Sequence, residues 1–412
     1  MPGKFLSYLG LMCLILASIG CVLFALYVVS ETPGMYLDFH TFYAAGMVMH
    51  RRGPRALYDA GLQQQVDRAI APNGPFLRYA HTPPEALLFL PLARFSFPAA
   101  FLLWSLFNIL VLALSLLGFR YIDDPLKPND RLLWLILIIP FIAAPLALGQ
   151  DGLLPLPVFL SAYLALKRER EMLAGSLLGV GLFRFEILLP FILVFAMRKR
   201  WKLLAGFAAT GAAGLLLSLA LVGFHGMIAY AHLLISLANL KGTTVEVIVQ
   251  MMPSLRGVLA SLLGGYIPSL FISLLVGLGS VGVLCWAAWE FRSVGRPADR
   301  AFDLQFSMAV VAALLASYHL WNDALSPLIL VAYLIMVYER RSAGGRLFSE
   351  QGGTILMLLF PIVFVIGPVF GFRGFCVLAI VMLGICGWLP REIRALRPGT
   401  LPREAAWQLR QV

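Results

Sequence analysis

Residues 97–120 read FPAAFLLWSLFNILVLALSLLGFR, and no charged side chain interrupts this stretch before Arg120. A helix of about 20 apolar residues is long enough to cross the hydrocarbon core of a bilayer, and it satisfies its own backbone hydrogen bonds there. A surface helix of a soluble protein carries a charged face, which this stretch lacks. The stretch therefore predicts a membrane-spanning helix.

Comparable apolar runs recur along the whole chain of 412 residues, of which 60% are hydrophobic and 13% charged. Soluble proteins are closer to 25% charged. The first run, 5–29, is longer than the roughly 7–15 residues of a signal-peptide core, so it predicts a first span. We predict an all-α polytopic membrane protein with about a dozen transmembrane helices. The predicted spans are 5–29, 98–119, 132–148, 153–166, 172–184, 187–197, 203–223, 267–290, 303–318, 324–338, 354–370 and 373–389.

These spans make one transmembrane domain, 1–390, which is followed by a cytoplasmic tail, 391–412. Two connections are long, about 30–97 and about 224–266, and both fall on the outer side. The first contains MHRRGPRALYDAGLQQQVDRAI, which has helical character and predicts a helix on the membrane surface.

The distribution of basic residues orients the chain. The net charge of +11 would suggest nucleic acid for a soluble protein. Here the basic residues gather in short connections between apolar runs, as they do in cytoplasmic loops, so both termini are predicted to be cytoplasmic. The clusters 167–170 and 198–202 then lie on the same side, and the segment between them must cross twice. We predict a short hairpin with Arg184 at its tip, in a protein of the bacterial plasma membrane.

Polar residues gather at the outer boundary of the membrane in this topology. Ionisable groups at such depth are costly and are often functional. Each residue taken alone has a structural explanation, but their common side favours one cavity for a polyhydroxylated ligand. The residues are Asp38, His81, Glu85, Gln150, Asp151, Arg184, Glu186, Arg256, His319 and Asp323.

Asp38 follows the first span and has two interpretations. It could cap a helix that starts near Phe39. It could also act as a general base that takes a proton from an acceptor hydroxyl. The pair Asp38 and His40 is only a weak signal for a metal, and we expect neither a metal nor a cofactor.

Two histidines and two arginines could bind a phosphate. A histidine N–H such as that of His81 or His319 donates a hydrogen bond, and a guanidinium such as that of Arg184 or Arg256 binds phosphate as a fork. The structural alternatives are interfacial histidines and an ion pair of Arg184 with Glu186. Sequence alone leaves both open.

Several classes of function are disfavoured by missing motifs. The chain has no GxxxxGK[ST], no strand-linked GxGxxG and no HExxH, and its five cysteines lie in apolar runs without a CxxC pair. A sugar donor would therefore be lipid-linked rather than a nucleotide sugar. A transporter or flippase of lipid-linked sugars is the main alternative to an enzyme, and a non-catalytic membrane scaffold is a third.

The order and content of five segments resemble glycosyltransferase family 87, of the membrane-embedded GT-C superfamily. Together these segments are distributed over most of residues 1–338. They are DFHTFYAAGMVMHRRGPRALYDA (38–60), HTPPEALLFLPLARFSFPAAFLLWSLFNIL (81–110), ALGQDGLL (147–154), SLRG (254–257) and SYHLWNDALSPLIL (317–330).

The resemblance implies a GT-C-type fold and an inverting transfer of a hexose, often mannose, from a polyprenyl phosphate to a glycolipid or glycan hydroxyl on the outer face. Asp38 matches the acidic residue that serves as base in that family. His319 matches a position associated with the donor phosphate. Arg184 and Phe185 stand where the family often carries Lys and Pro.

Overall fold

The computed structural model describes residues 38–70, 76–122, 126–238, 249–291, 300–342, 353, 357, 359–363 and 373–396. These residues form helices without a strand, so the predicted all-α class is confirmed. The α-helices are α1 (Phe39–Arg52), α2 (Ala60–Ile70), α3 (Pro83–Ala86), α4 (Phe97–Gly118), α5 (Pro128–Leu148), α6 (Pro155–Lys167), α7 (Glu171–Val180), α8 (Phe185–Met197), α9 (Trp201–Ala238), α10 (Leu255–Leu263), α11 (Ser269–Glu290), α12 (Arg300–Ala316), α13 (Pro327–Ser342) and α14 (Val377–Ala395).

By length and composition, seven helical segments of the described chain could cross a membrane, and α6 and α12 are shorter apolar helices. The protein is therefore a polytopic membrane protein. The predicted span 5–29 and most of 354–370 lie outside the described residues. The seven segments are Phe97–Tyr121, Asp130–Leu148, Glu171–Met197, Trp201–Leu237, Ser269–Glu290, Asn322–Arg340 and Gly374–Ala395.

Glu171–Met197 is a hairpin rather than one straight span, as the basic clusters predict. Arg200, after α8, forms an ion pair of 2.6 Å with Glu171, at the start of α7, so the segment begins and ends on the same side. A ten-residue helix rises ~15 Å and the four-residue 3₁₀ turn after it adds ~8 Å. The tip therefore stops short of the ~30 Å needed for a full crossing.

Close helix contact holds this hairpin in place. The hairpin arm α7 packs along the first turns of α9, and both helices start at the basic side. A Cβ atom on Gly175 would overlap the carbonyl of Leu203, and one on Gly206 would overlap that of Met172. Small residues at a helix crossing let the backbones approach, which is how helices associate in lipid. The tip is thus fixed relative to the rest of the fold.

The first long connection forms a packed unit around α1. Phe39 is completely buried, and its ring lies 5.5 Å from that of Phe101 and 6.5 Å from that of Trp104. Beside it, α2 turns polar side chains inward, since Gln63 and Asp67 are buried. The stretch 49–70, predicted as a surface helix, therefore contains the last turn of α1, a 3₁₀ turn at Pro54–Ala56 and α2, and α1 itself belongs to the protein core.

Two other boundaries differ from prediction. The span expected at 203–223 continues through a kink at Gly223 to Ala238, so much of the predicted second outer loop is helical. The last helix reaches Ala395 rather than 389, because Arg394 pairs with Glu290 at 2.6 Å and adds a contact that the apolar pattern does not encode.

Candidate active site

A four-residue turn, Gly149–Gly152, organises the polar cluster. It follows α5, and Gly149 takes a left-handed conformation with φ 66°, which glycine adopts without steric cost. The indole nitrogen of Trp104 donates a 2.9 Å hydrogen bond to the carbonyl of Gly149. The backbone N–H of Gln150 bonds the carbonyl of Pro145 at 2.9 Å. The turn is therefore anchored to both α4 and α5.

Gln150 connects the turn to Asp38. Its amide nitrogen lies 2.5 Å from Oδ2 of Asp38. Asp38 stands at the N-cap position of α1, but its side chain makes no capping hydrogen bond. Burial raises the pKa of Asp38, and the hydrogen bond from Gln150 opposes that rise. The carboxylate is thus directed toward the polar cluster instead of toward its own helix.

Asp151 connects the turn to Arg184 at the hairpin tip. Arg184 donates to Oδ2 of Asp151 from Nε at 2.8 Å and to Oδ1 from Nη2. Arg184 also lies 3.4 Å from Asp323 and 3.5 Å from Glu186. A Cβ atom on Gly152 would overlap the carbonyl of Asp323, so the turn also contacts the start of the Asn322–Arg340 segment. Arg184 is thus surrounded by carboxylates, which is the ion-pair alternative that the sequence left open.

His81 and Glu85 form a second pair beside the turn. Their Nδ1 and Oε1 atoms lie 3.2 Å apart, and the hydroxyl of Tyr58 donates to the carbonyl of His81 at 2.7 Å. Phe42 packs against the imidazole with ring centroids 4.8 Å apart. Burial raises the pKa of Glu85 to about 7, against the opposing effect of His81, and the nearby Asp151 carboxylate adds to the rise.

Arg256 and His319 form the third part of the cluster. The guanidinium of Arg256 lies 3.8 Å from the centroid of the Tyr318 ring, and it donates to the Tyr318 carbonyl at 3.1 Å. Trp321 Nε1 donates to His319 Nε2 at 2.9 Å. Desolvation by neighbouring groups lowers the pKa of His319 to about 4, and the positive charge of Arg256 contributes. The imidazole is therefore neutral at pH 7, with its proton on Nδ1.

The polar residues predicted from the sequence converge on one region. Asp38 interacts electrostatically with His81 and Arg184, and His319 interacts with Arg256, Arg184 and His81. Gln150, Glu85, Glu186 and Asp323 join them through the contacts described above.

Asp151 belongs to the polar set predicted from the sequence, but no role is predicted for it. It is completely buried and is the main partner of Arg184. Its position next to Gln150, in a turn predicted to lie at the outer boundary, was the only signal. The aromatic residues Tyr58, Tyr318 and Trp321, which hold the histidines and Arg256, gave no signal beyond an interfacial position.

Three ligand-type atoms could be considered for a metal. Among the described residues, one such atom from each of His81, Glu85 and Asp151 lies within 4.8 Å of the others. However, Arg184 engages both oxygens of Asp151, and its permanent charge repels a cation at that point. The arginine fills the electrostatic role that a metal would have there.

Comparison with known proteins identifies the group. A family model described as glycosyltransferase family 87 matches residues 79–318, which is more than half of the chain. The chain belongs to glycosyltransferase family 87. No curated protein and no solved structure matches it significantly.

Membership in family 87 makes this protein a membrane glycosyltransferase. The matched range includes the Gly149–Gly152 turn and the hairpin tip, but Asp38, His319 and Asp323 lie outside it. Their connection to the family 87 core rests on the geometry, in which Gln150 contacts Asp38 and Arg184 contacts Asp323.

Proposed function

We propose that the protein transfers a hexose such as mannose from a polyprenyl-phosphate donor to a hydroxyl of a glycolipid or glycan on the extracytoplasmic face of a bacterial plasma membrane. The observation that carries this proposal is the convergence of a carboxylate, Asp38, with basic and hydrogen-bonding groups around one turn. The basic clusters 167–170 and 198–202 lie at the opposite ends of the helices, which supports an outward-facing site.

Asp38 acts as the general base in this proposal. An acceptor hydroxyl is a weak nucleophile, so its proton passes to Asp38 as the oxygen attacks C1 of the hexose. The bond from C1 to the donor phosphate breaks in the same step, and polyprenyl phosphate leaves with the electron pair. The displacement inverts the configuration at C1. The carboxylate makes no capping bond to α1, and this leaves it available for that proton.

His319 and Arg256 stabilise the charge that grows on the leaving phosphate. Neutral His319 has an Nδ1–H to donate, because Trp321 already bonds Nε2. Arg256 is aligned by Tyr318, and a fixed guanidinium suits phosphate oxygens. Arg184, the third predicted phosphate ligand, has its N–H groups directed at carboxylates. We therefore assign it the role of holding those carboxylates in place.

The remaining polar residues suit the hydroxyl groups of a sugar. Glu85, Glu186 and Asp323 offer acceptors, and His81 lies beside Glu85. A phosphate leaves without a strong acid, so the scheme needs no further proton donor. The absence of nucleotide-binding motifs from the sequence supports a lipid-linked donor, which would reach the site from the bilayer.

The test uses purified protein in lipid nanodiscs, radiolabelled polyprenyl-phosphate mannose and a membrane lipid extract as acceptor pool. Asp38→Asn should reduce transfer by about 10²–10⁴-fold while donor binding is retained, since general-base catalysis contributes that much. Asp59→Asn is the matched control, because Asp59 caps α2 through a 2.9 Å bond to the Leu62 N–H and asparagine caps equally well.

Equal transfer by wild type and Asp38→Asn would show that the base lies elsewhere. If wild type and variants all bind the donor without transferring sugar, and wild type moves the donor between the two faces of a proteoliposome, the transporter interpretation would be favoured over the enzyme.

A further inference from the structure

The amide of Gln150 is held in a defined place beside Asp38. Its backbone follows Gly149, whose Cα lies so close to α1 that an added Cβ would be 2.6 Å from the Cβ of Phe39. Phe39 is the residue after Asp38 and is completely buried. The donor and the acceptor of the 2.5 Å hydrogen bond are therefore both fixed through their neighbours in the chain.

The direction of this hydrogen bond has a chemical consequence. A carboxylate accepts and an amide N–H donates, so the bond stabilises the ionised form of Asp38. It also occupies Oδ2, which leaves Oδ1 to meet another group. The other charges that face Asp38 are His81 and Arg184 from two further elements, with Asp323 acting in the opposite direction.

We propose that Gln150 is a positioning residue, which orients the carboxylate of Asp38 and stabilises its negative charge so that Oδ1 receives the proton of the acceptor hydroxyl. This inference rests on the proposed role of Asp38 as base. It differs from the expectation that Gln150 binds substrate, because a positioning residue acts on the chemical step and a substrate ligand acts on binding.

Steady-state kinetics of wild type, Gln150→Met and Gln150→Glu separate these two roles. Gln150→Met keeps the length of the side chain and removes the donor. We expect kcat to fall by about 10- to 100-fold, and the acid limb of the pH profile of kcat/KM to move upward by about one to two pH units. The KM for the donor should stay within about threefold. Gln150→Glu places a second carboxyl beside Asp38 and should move the acid limb further, because two adjacent carboxylates resist ionising together.

Gln305→Met is the matched control. Gln305 is a completely buried glutamine of α12 whose amide donates to the carbonyl of Glu290 at 2.9 Å, far along the chain from the turn. Its loss should leave the acid limb in place. A Gln150→Met protein with raised KM and an unmoved acid limb would overturn the positioning role.

A second measurement does not depend on transfer. Dicyclohexylcarbodiimide modifies protonated carboxyl groups, and mass spectrometry gives the pH midpoint of labelling for each residue. In Gln150→Met the midpoint for Asp38 should lie at higher pH than in wild type, whereas that for Glu85 should be unchanged. An unchanged midpoint for Asp38 overturns the inference. If the midpoint shifts but wild type itself transfers no sugar, the proposed function is refuted while the Gln150–Asp38 interaction is still supported.

Discussion

Replacement of Arg184 by methionine should destabilise the protein more than replacement of its main partner, Asp151, by asparagine. Arg184 and Asp151 are 5% and 0% exposed, and Arg184 also approaches Asp323 at 3.4 Å and Glu186 at 3.5 Å. Without the guanidinium, Asp151 and Asp323 are buried carboxylates that have lost their bonded cation. Removal of one partner from a buried ion pair costs about 3–5 kcal/mol, and we expect Arg184→Met to fall in that range.

Asp151→Asn leaves Arg184 with most of its hydrogen-bond partners. Arg184 keeps Asp323 and Glu186 as partners, and the asparagine carbonyl still accepts one hydrogen bond from the guanidinium. The loss is then one charge-assisted interaction, which contributes about 1.5–3 kcal/mol. The asymmetry arises because one arginine serves three carboxylates, so the arginine is the harder member to replace.

The comparison needs equilibrium unfolding in mixed micelles, with intrinsic tryptophan fluorescence as the signal. Arg200→Met is the control, because Arg200 pairs with Glu171 at 2.6 Å while both side chains are partly exposed, 39% and 23%. Such surface pairs contribute about 0–1 kcal/mol. Equal losses for Arg184→Met and Asp151→Asn, or an Arg184→Met loss no larger than that of the control, would refute the reasoning.

Two further predictions concern the turn and the phosphate site. Gly149→Ala should lower the free energy of unfolding by about 1–2 kcal/mol, because alanine is strained in the left-handed conformation. It should also lower kcat at least tenfold, since the new Cβ would lie 2.6 Å from the Cβ of Phe39 and displace Gln150. The control Gly214→Ala, where no atom lies within 4 Å of the added Cβ, should retain activity, and a fully active Gly149→Ala protein would contradict the role of the turn. His319→Ala should weaken donor binding about tenfold. Because the lowered pKa of about 4 keeps the His319 ring neutral above pH 5, wild type and His319→Ala should show the same pH dependence of donor affinity between pH 5 and 8; a rise in affinity toward pH 5 that is present in wild type and disappears in His319→Ala would contradict a neutral imidazole.

The hairpin and the polar boundary were predictable for a physical reason. Apolar length, the side preference of Lys and Arg and the cost of burying a charge are all properties of short stretches of chain. The clusters at 167–170 and 198–202 therefore predicted that the chain between them turns back to the same side, and the ion pair of Glu171 with Arg200 confirms that the two ends of the hairpin lie together.

Partners within the site were not predictable, since they depend on how helices pack. Asp151 and Arg184 are 33 residues apart, and Asp38 and Gln150 are 112 residues apart. Whether they meet depends on a hairpin of a certain height and on close contacts such as that of Gly175 with Leu203. A hydropathy pattern specifies that a helix is present, but it does not give the distance between two helix ends.

The sequence by itself thus determined that the protein is a helical polytopic membrane protein, that the segment between the two basic clusters folds back on itself, and which polar residues belong to one cluster, because apolar length, charge placement and the cost of burying a charge are properties of short segments. Only the tertiary structure decided that Arg184 is neutralised by carboxylates, that Asp38 is bonded to Gln150 instead of capping α1, and that Arg256 lies close enough to His319 to lower its pKa. Those outcomes depend on distances of a few ångströms between residues far apart in the chain, and packing alone sets such distances.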